Sequence, residues 1–268
     1  MFDVSDLLDW GFTESELFGN EKEIKEELEK QNNNQVNSLN DQALIIGNNA
    51  LGIPDFIHEK LGTFPSDIDL FFTKTYIKGN NYFYNYGGDS LPIGDCHNFI
   101  TMFYIDDKKF ECFYNEPSKY VLFLKSKNIN TIIMPNYSTY IHMPKVMRLF
   151  NLYKSRYVAR FFQEAGFFVI PDVPLATSEL DYVLDSIPLF CPSLAFQFNV
   201  ASKTIDFQQQ KIDNLRYVVD KIKPKKILVY AQSKFIRLLK GLNLNTELVI
   251  VESFVNVRSK LKGGVNNG

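Results

Sequence analysis

From residue 115 onward, short apolar runs rich in β-branched residues alternate with segments of helical period, and this alternation restricts the fold more than any other feature. Thr131 to Met134 precedes a helical pattern from Pro144 to about Ala165. Phe167 to Ile170 precedes Ser178 to Leu184, Leu194 to Phe198 precedes Lys211 to Ile222, and Ile227 to Tyr230 precedes Phe235 to Leu239. Leu248 to Val251 comes last. Strands that are apolar throughout belong to parallel sheets covered by helices on both faces. With candidates at 68–72 and 99–105 the count reaches seven. The expected fold class is therefore α/β: a mostly parallel sheet of βα units, TIM-barrel-like, complete or short of a unit. An open doubly wound sheet is the alternative.

The chain before residue 115 is organised differently. Residues 1–31 hold ten acidic side chains against three lysines, a net −7, which leaves 26 basic and 21 acidic residues and a net +5 for the rest. Leu7, Leu8, Trp10, Phe12, Leu17 and Phe18 interrupt this acidic background. Such a segment suits folding on a partner or docking on its own domain. Glu21 with Lys25 and Glu26 with Lys30 are favourable i, i+4 pairs, so residues 21–30 read as a solvated helix. Five asparagines between 32 and 40 mark a linker with too little apolar surface to order itself. The domains expected are an acidic arm and linker at 1–40, an α/β domain at 41–255 and a basic flexible tail at 256–268. Ala43 to Ile46 reads as a strand. The aromatic run Tyr82, Phe83, Tyr84, Tyr86 fits a packed hairpin or a base-stacking platform.

Composition excludes several classes. At 268 residues and 45% hydrophobic the chain can bury a large core, unlike disordered or collagen-like sequences. Its three cysteines, Cys96, Cys112 and Cys191, form no CxxC pair, so reduced thiols are expected and a zinc site is not. No apolar run is long enough for a membrane-spanning helix, and the acidic N-terminus is unlike a secretory signal. An intracellular location is expected, host cytoplasm or virion.

In α/β folds ligands sit beyond the carboxyl ends of the strands. Each apolar run here ends on a polar residue: Asn136, Asp172, Asn199, Gln232 and Glu252. Asp172 and Glu252 are the carboxylates of that set and its candidates for acid–base catalysis. The same residues also suit turns and helix caps. The helix after Pro144 carries Lys145 and Arg148 in its first turns, where the helix dipole disfavours cations, and Arg156 and Arg160 further on. Backbone N–H groups and cations together favour a phosphate or carboxylate; the alternative is a solvated basic face. Val146, Phe150, Tyr153, Tyr157 and Phe161 recur at helical spacing and read as the core-facing stripe. His58, Cys96, His97 and His142 are poorly spaced for metal or nucleophile chemistry. No GxGxxG, P-loop, GxSxG or HExxH string occurs, and no cofactor is expected.

Phe110-Glu111-Cys112-Phe113-Tyr114-Asn115-Glu116-Pro117-Ser118-Lys119-Tyr120, then Met134-Pro135-Asn136-Tyr137-Ser138, Met143-Pro144, Asn151 through Arg156, Phe162-Gln163-Glu164-Ala165-Gly166 and Val169-Ile170-Pro171 form an ordered series of motifs. The series resembles an uncharacterised family of phage and mobile-element proteins, a domain of unknown function. Its pattern is F-E-x-x-W-x-x-P-x-x-Y, P-D-F-S, M-P, N-x-Y-R-S-R and W-Q-x-x-G-I-x-V-I-P. Asn136 stands where that pattern has aspartate, Tyr114 and Phe162 where it has tryptophan, and Lys154 where it has the first arginine of Y-R-S-R. If the aspartate is catalytic in relatives, that chemistry is lost at Asn136. Leu7-Leu8-Asp9-Trp10-Gly11-Phe12 is similar to a segment found beside ParB-like domains in phage DNA-modification proteins.

The resemblance implies a phage or mobile-element origin without naming an activity. The residues support three functional expectations. The first is an accessory protein binding a phosphate-bearing ligand, nucleic acid or nucleotide, at the rim formed by Asn136, Asp172, Asn199, Gln232 and the basic helix. The second is an enzyme using Asp172 or Glu252. The third is a virion component or host-factor inhibitor whose residues 1–30 engage a protein partner.

Overall fold

Strands that are apolar on both faces cannot lie at a wetted surface, and the chain resolves this by making every described strand parallel and covering it. The structure is a computed structural model that describes residues 49–70, 81–87, 98–140, 142–174, 180–198, 205–253 and 256. Strands β1 (Asp69–Leu70), β2 (Asn81–Asn85), β3 (Asn98–Met102), β4 (Thr131–Ile133) and β5 (Phe168–Ile170) form one sheet in chain order. β6 (Ser193–Phe198), β7 (Lys226–Ala231) and β8 (Glu247–Glu252) form a second. Every pairing is parallel. Helices α1 (Cys112–Asn115) and α2 (Pro117–Ser126) follow β3, and α3 (Lys145–Glu164) joins β4 to β5. α4 (Leu180–Leu184), α5 (Ile205–Ile222) and α6 (Ser233–Lys240) join the later strands.

The two sheets are continuous at one point. Beyond β5, Asp172 bridges to Ala195 of β6: Val173 N–H donates to Ala195 O at 2.8 Å and Ala195 N–H to Pro171 O at 2.9 Å. At the other extreme, β1 lies beside β8. Residues of one strand face gather from both sheets into one apolar cluster: Phe83, Ile100, Met102, Ile133, Ile170, Ala195, Leu228, Tyr230, Val249 and Val251, with Phe64 and Ile68 from before β1. The opposite face packs Tyr82, Phe103, Ile132, Val169, Phe196 and Val229 among helix residues such as Val158, Phe162 and Leu215.

The chain entering β1 crosses the amino ends of the later strands. Leu61 bridges to Val169, and Gly62 N–H donates to Val169 O at 2.8 Å. Thr63 Oγ1 lies 2.9 Å from Ser193 Oγ, and Lys226 Nζ donates to Ser66 Oγ at 2.8 Å. Phe64, 2% exposed, caps the inner cluster from this side. The carboxyl ends of the strands are therefore the end at which side chains from different strands can meet a ligand.

Two expectations are corrected. The aromatic run Tyr82 to Tyr86 is no hairpin, because β2 pairs in parallel with both β1 and β3, and a hairpin joins antiparallel strands. Tyr82, Phe83 and Tyr84 are buried, so their ring faces are closed to bases. The stripe Val146, Phe150, Tyr153, Tyr157 is not the core face of α3. Val146 is 70% and Phe150 45% exposed, Tyr153 and Tyr157 are half-buried, and only Phe161 of the five is buried. The helix instead buries Asn151, Leu152, Lys154, Ser155, Arg156, Val158, Ala159, Phe162 and Gln163. It can do so because hydrogen bonds compensate the polar members.

Cys112 is half-buried and Cys191 buried, both as free thiols, while Cys96, the strand read at 43–46, the arm and the tail after 256 lie outside the described residues. No described helix is long and apolar enough to cross a membrane.

A Cβ at Gly62 would meet Ile170 Cγ1 at 3.1 Å and Thr131 Cγ2 at 3.2 Å. Gly62→Val overpacks this crossing and is expected to cost about 1–3 kcal/mol. Urea unfolding checks this as a lowered midpoint at unchanged slope.

Candidate functional site

At the carboxyl ends of the strands, polar side chains lie within an otherwise apolar interior. Asp172, just past β5, is wholly buried. Tyr104, two residues past β3, donates its hydroxyl to Asp172 Oδ2 at 2.5 Å. Tyr104 is held in turn by its backbone N–H, which donates to Asn85 Oδ1 at 3.1 Å, and by stacking on Tyr230 of β7 with ring centroids 4.7 Å apart. This stack joins the first sheet to the second. Lys211, in the second turn of α5 and 6% exposed, donates Nζ to Gln197 O of β6 at 3.3 Å. Its charge and that of Asp172 act on each other.

The electrostatics follow from burial. Loss of water drives the Asp172 carboxyl up to about 8, against the opposing pull of the Tyr104 hydrogen bond and the Lys211 charge. Burial lowers Lys211 to about 8, partly offset by Asp172. Burial, and then the neighbouring carboxylate, holds the Tyr104 phenol well above its ordinary value. An acid and an amine are thereby brought to similar proton affinity near neutral pH, a pattern found at catalytic sites.

Three buried polar atoms at this end have no hydrogen-bond partner among the described residues: Asp172 Oδ1, Asn85 Nδ2 and Ser253 Oγ. Asn85, two residues after the inward-facing Phe83 on β2, shares its face, and Ser253 continues the inward series Val249 and Val251 of β8. A carboxyl oxygen, an amide donor and a hydroxyl thus project from three strand ends toward the same interior. Each costs about 1–3 kcal/mol while unsatisfied.

Glu252, at the end of β8, accepts a hydrogen bond from Ser233 Oγ, which also accepts one from Asn256 Nδ2 at 2.6 Å. Gln232 is half-buried at the N-cap of α6 without a side-chain capping bond. Asn136 is half-buried beyond β4. Asn199 lies outside the described residues.

The basic helix does not deliver its arginines to this rim. α3 starts near the carboxyl ends and runs back toward the amino end of β5, so Arg156 and Arg160 lie toward the opposite end of the molecule. Arg156, 2% exposed, donates to Ser186 Oγ, to Val183 O at 2.6 Å and to Asp185 O at 2.7 Å, and lies 4.1 Å from the Phe56 ring. These bonds satisfy the carbonyl end of α4. Arg160 pairs with Glu164 at 2.7 Å and donates to Asp55 O at 3.1 Å. Here it borders a groove of about 750 Å³ whose other charged lining residues include Asp55, Glu59 and Asp185, a poor setting for an anion. Arg148 donates to Met143 O, and exposed Lys145 lies over the Tyr182 ring at 5.3 Å.

The motif residues noted above form a polar lattice around α3. Lys154 pairs with Glu111 at 3.0 Å and lies 4.1 Å from the Tyr137 ring centroid. Ser138 donates through its backbone N–H to Asp107 at 2.8 Å, and Asn151 Nδ2 donates to Ser138 O at 2.6 Å. Gln163 bonds both N–H and C=O of Ile57 and the carbonyl of Lys60. Each of these residue types thus has a partner that packing supplies.

Sequence reasoning placed Asp172 but missed Tyr104, Lys211, Asn85 and Ser253. Tyr104 sat in an aromatic run and Lys211 in an amphipathic helix, and neither carries a local signal. Asn85 ends β2, a strand end the sequence reading did not place, and Ser253 follows Glu252, the residue that the same rule selected at the end of the last run.

The raised Asp172 carboxyl has a measurable consequence. An unfolded aspartate ionises near pH ~4, whereas the folded one keeps its proton to about 8, so the native state loses relative stability as pH rises through that window. Asp172→Asn removes this contribution. Thermal melts from pH 5 to 8 should fall less steeply for the variant than for the wild type, and parallel curves would refute the burial argument.

The sequence profile of a domain of unknown function, DUF4417, matches residues 93–241, from just before β3 to the end of α6, and this span contains Tyr104, Asp172 and Lys211. The Gene 1 protein of Mycobacterium phage L5 is 30% identical over 131 residues, covering 48% of this chain and 56% of that protein. The Gene 1 protein of Mycobacterium phage D29 is 25% identical over 134 residues, covering 50% and 48% respectively. The chain thus spans about half the length of these curated relatives. No solved structure matches. With the family profile matched over more than half of its length, the chain belongs to the DUF4417 family, a group of unknown function with relatives in mycobacteriophages.

Proposed function

We propose that this phage-associated protein is an enzyme that transfers a proton between Asp172 and a small polar substrate at the carboxyl ends of its strands. The observation that carries the reading is the Asp172 carboxyl itself: wholly buried, held on one oxygen by Tyr104, without a partner on the other among the described residues, and within the field of Lys211. Retaining such a group unsatisfied costs stability, and functional sites are where proteins accept that cost.

The reading includes closure of the two sheets into one barrel of eight parallel strands. The Asp172–Ala195 bridge on one side, the proximity of β1 to β8 on the other and the shared inner cluster support it. In barrels of this kind the active site lies at the carboxyl ends.

Chemically, Asp172 is protonated at pH 7 and serves as general acid. Lys211, lowered to about 8, is itself largely protonated at pH 7; after the transfer it returns a proton to Asp172 with little change in free energy and regains one from solvent. Asn85 Nδ2 and Ser253 Oγ supply hydrogen bonds that orient the substrate. Glu252, engaged by Ser233, is the second carboxylate at this end. For a phosphate-bearing substrate or a nucleic acid, the exposed cation at the start of α3 is Lys145, since Arg148 donates to Met143 O and Arg156 and Arg160 are engaged at the other end. The acidic arm and any protein partner it takes stand apart from this chemistry.

The test compares the wild type with Asp172→Asn and Lys211→Met in metabolite and nucleotide mixtures, read by mass spectrometry. Conversion by the wild type should drop by about 10²–10⁴-fold in each variant, the usual contribution of a positioned acid or base. Conversion that survives in Asp172→Asn overturns the proposal.

A further inference from the structure

Helix α3 turns its aromatic side outward. Val146 is 70%, Met147 46% and Phe150 45% exposed, and Tyr140, just before the helix, is 63% exposed. Phe150 continues into a row of rings, 6.3 Å from Tyr114 and 6.4 Å from Tyr153, with Tyr114 in turn 5.4 Å from Tyr157. The inner side of the helix meanwhile carries Asn151, Lys154, Ser155, Arg156 and Gln163. The same helix buries Leu152, Val158, Ala159, Phe161 and Phe162, so the outward apolar patch of its first turns is surplus to the core and suits a further contact. Cations lie beside the aromatic strip: exposed Lys145 at one end, and Lys154 5.6 Å from the Phe150 ring and 5.9 Å from the Tyr114 ring.

The chain itself supplies a complementary segment. Residues 1–31 carry a net −7 and bear Leu7, Leu8, Trp10 and Phe12 at their start. The described chain begins at Asn49, which lines the same groove as Arg160, near the carboxyl end of α3. The helix is about 30 Å long. Residues 19–48 span up to roughly 100 Å when extended, so the arm reaches any point along it. Tethering raises the local concentration of the arm to the millimolar range, enough for a weak contact to be occupied.

We propose that the N-terminal acidic segment docks on the aromatic face of α3 of the same chain, with Leu7, Leu8, Trp10 and Phe12 against Val146, Met147 and Phe150 and acidic neighbours beside Lys145. The contact involves neither Asp172 nor Lys211 but occupies Lys145, and a foreign protein seeking this face has first to displace the arm.

Trp10 is the sole tryptophan, so its fluorescence reports the contact without labels. In the full-length chain its emission should be blue-shifted and shielded from acrylamide, to a degree that does not change on dilution. Val146→Glu and Phe150→Glu alter exposed positions and should leave the far-ultraviolet circular dichroism unchanged while raising acrylamide quenching severalfold. Lys145→Glu should weaken shielding in low salt. A Trp10 as quenchable in the wild type as in a free peptide overturns the proposal, as does shielding that Val146→Glu and Phe150→Glu leave intact. Shielding lost on dilution assigns the face to the arm of a second copy, and shielding that arises only with an added protein assigns it to a foreign partner. Either result rejects docking within one chain.

Discussion

The short stretch Pro171 to Val173 performs two tasks that constrain each other. Its backbone joins the sheets by hydrogen bonds to Ala195, while the side chain of Asp172 lies in the interior against Tyr104. A residue that links two sheets cannot move aside to hydrate its carboxyl, so the fold forces desolvation on that group and with it the raised proton affinity. The same constraint fixes Tyr104, pinned by Asn85 and stacked on Tyr230, and so sets the hydroxyl donor in place before any ligand arrives. The chemistry proposed for this protein follows from a structural joint.

The second constraint is α3. Its buried side holds a lysine, an arginine, an asparagine and a glutamine, each engaged: Lys154 by Glu111 and the Tyr137 ring, Arg156 through its terminal nitrogens by the end of α4 while its Nε has no partner among the described residues, Asn151 by Ser138, Gln163 by Ile57 and Lys60. Breaking one such pair strands the other partner, which is costlier than losing an apolar contact of similar size. Ordered polar latches of this kind fix the helix in one rotation and one register. They also engage Arg156, read from the sequence as an anion ligand, in bonds to the end of α4.

Much of the architecture was legible because it rests on local periodicity. The runs at Ile132, Val169, Phe196, Leu228 and Val249 are apolar on both faces, and only parallel covered strands account for that. Asp172 was legible for a related reason, as the polar residue where an apolar run stops. What escaped depends on compensation or register. β2 is written in tyrosine and asparagine and reads as part of a hairpin or a stacking platform, yet its parallel neighbours on both sides bury Tyr82 to Tyr84. The helix α2, Pro117–Ser126, went unread, being short and opening on proline. The face of α3 was read backwards because apolar spacing assumes that polar residues stay wet, and the latches remove that assumption. Tyr104 and Lys211 reach Asp172 from 68 and 39 positions away in sequence, and no pattern along a chain encodes such a meeting.

The inward-facing groups Asn85 Nδ2, Asp172 Oδ1 and Ser253 Oγ tie occupancy to cohesion. A compound that gives these atoms partners binds the native chain and ignores the unfolded one, so mass action makes the protein harder to melt in its presence. The measure of a correct ligand is then heat resistance, which needs no knowledge of the reaction. A compound that fits these three atoms, which lack partners among the described residues, would thus announce itself by its effect on melting.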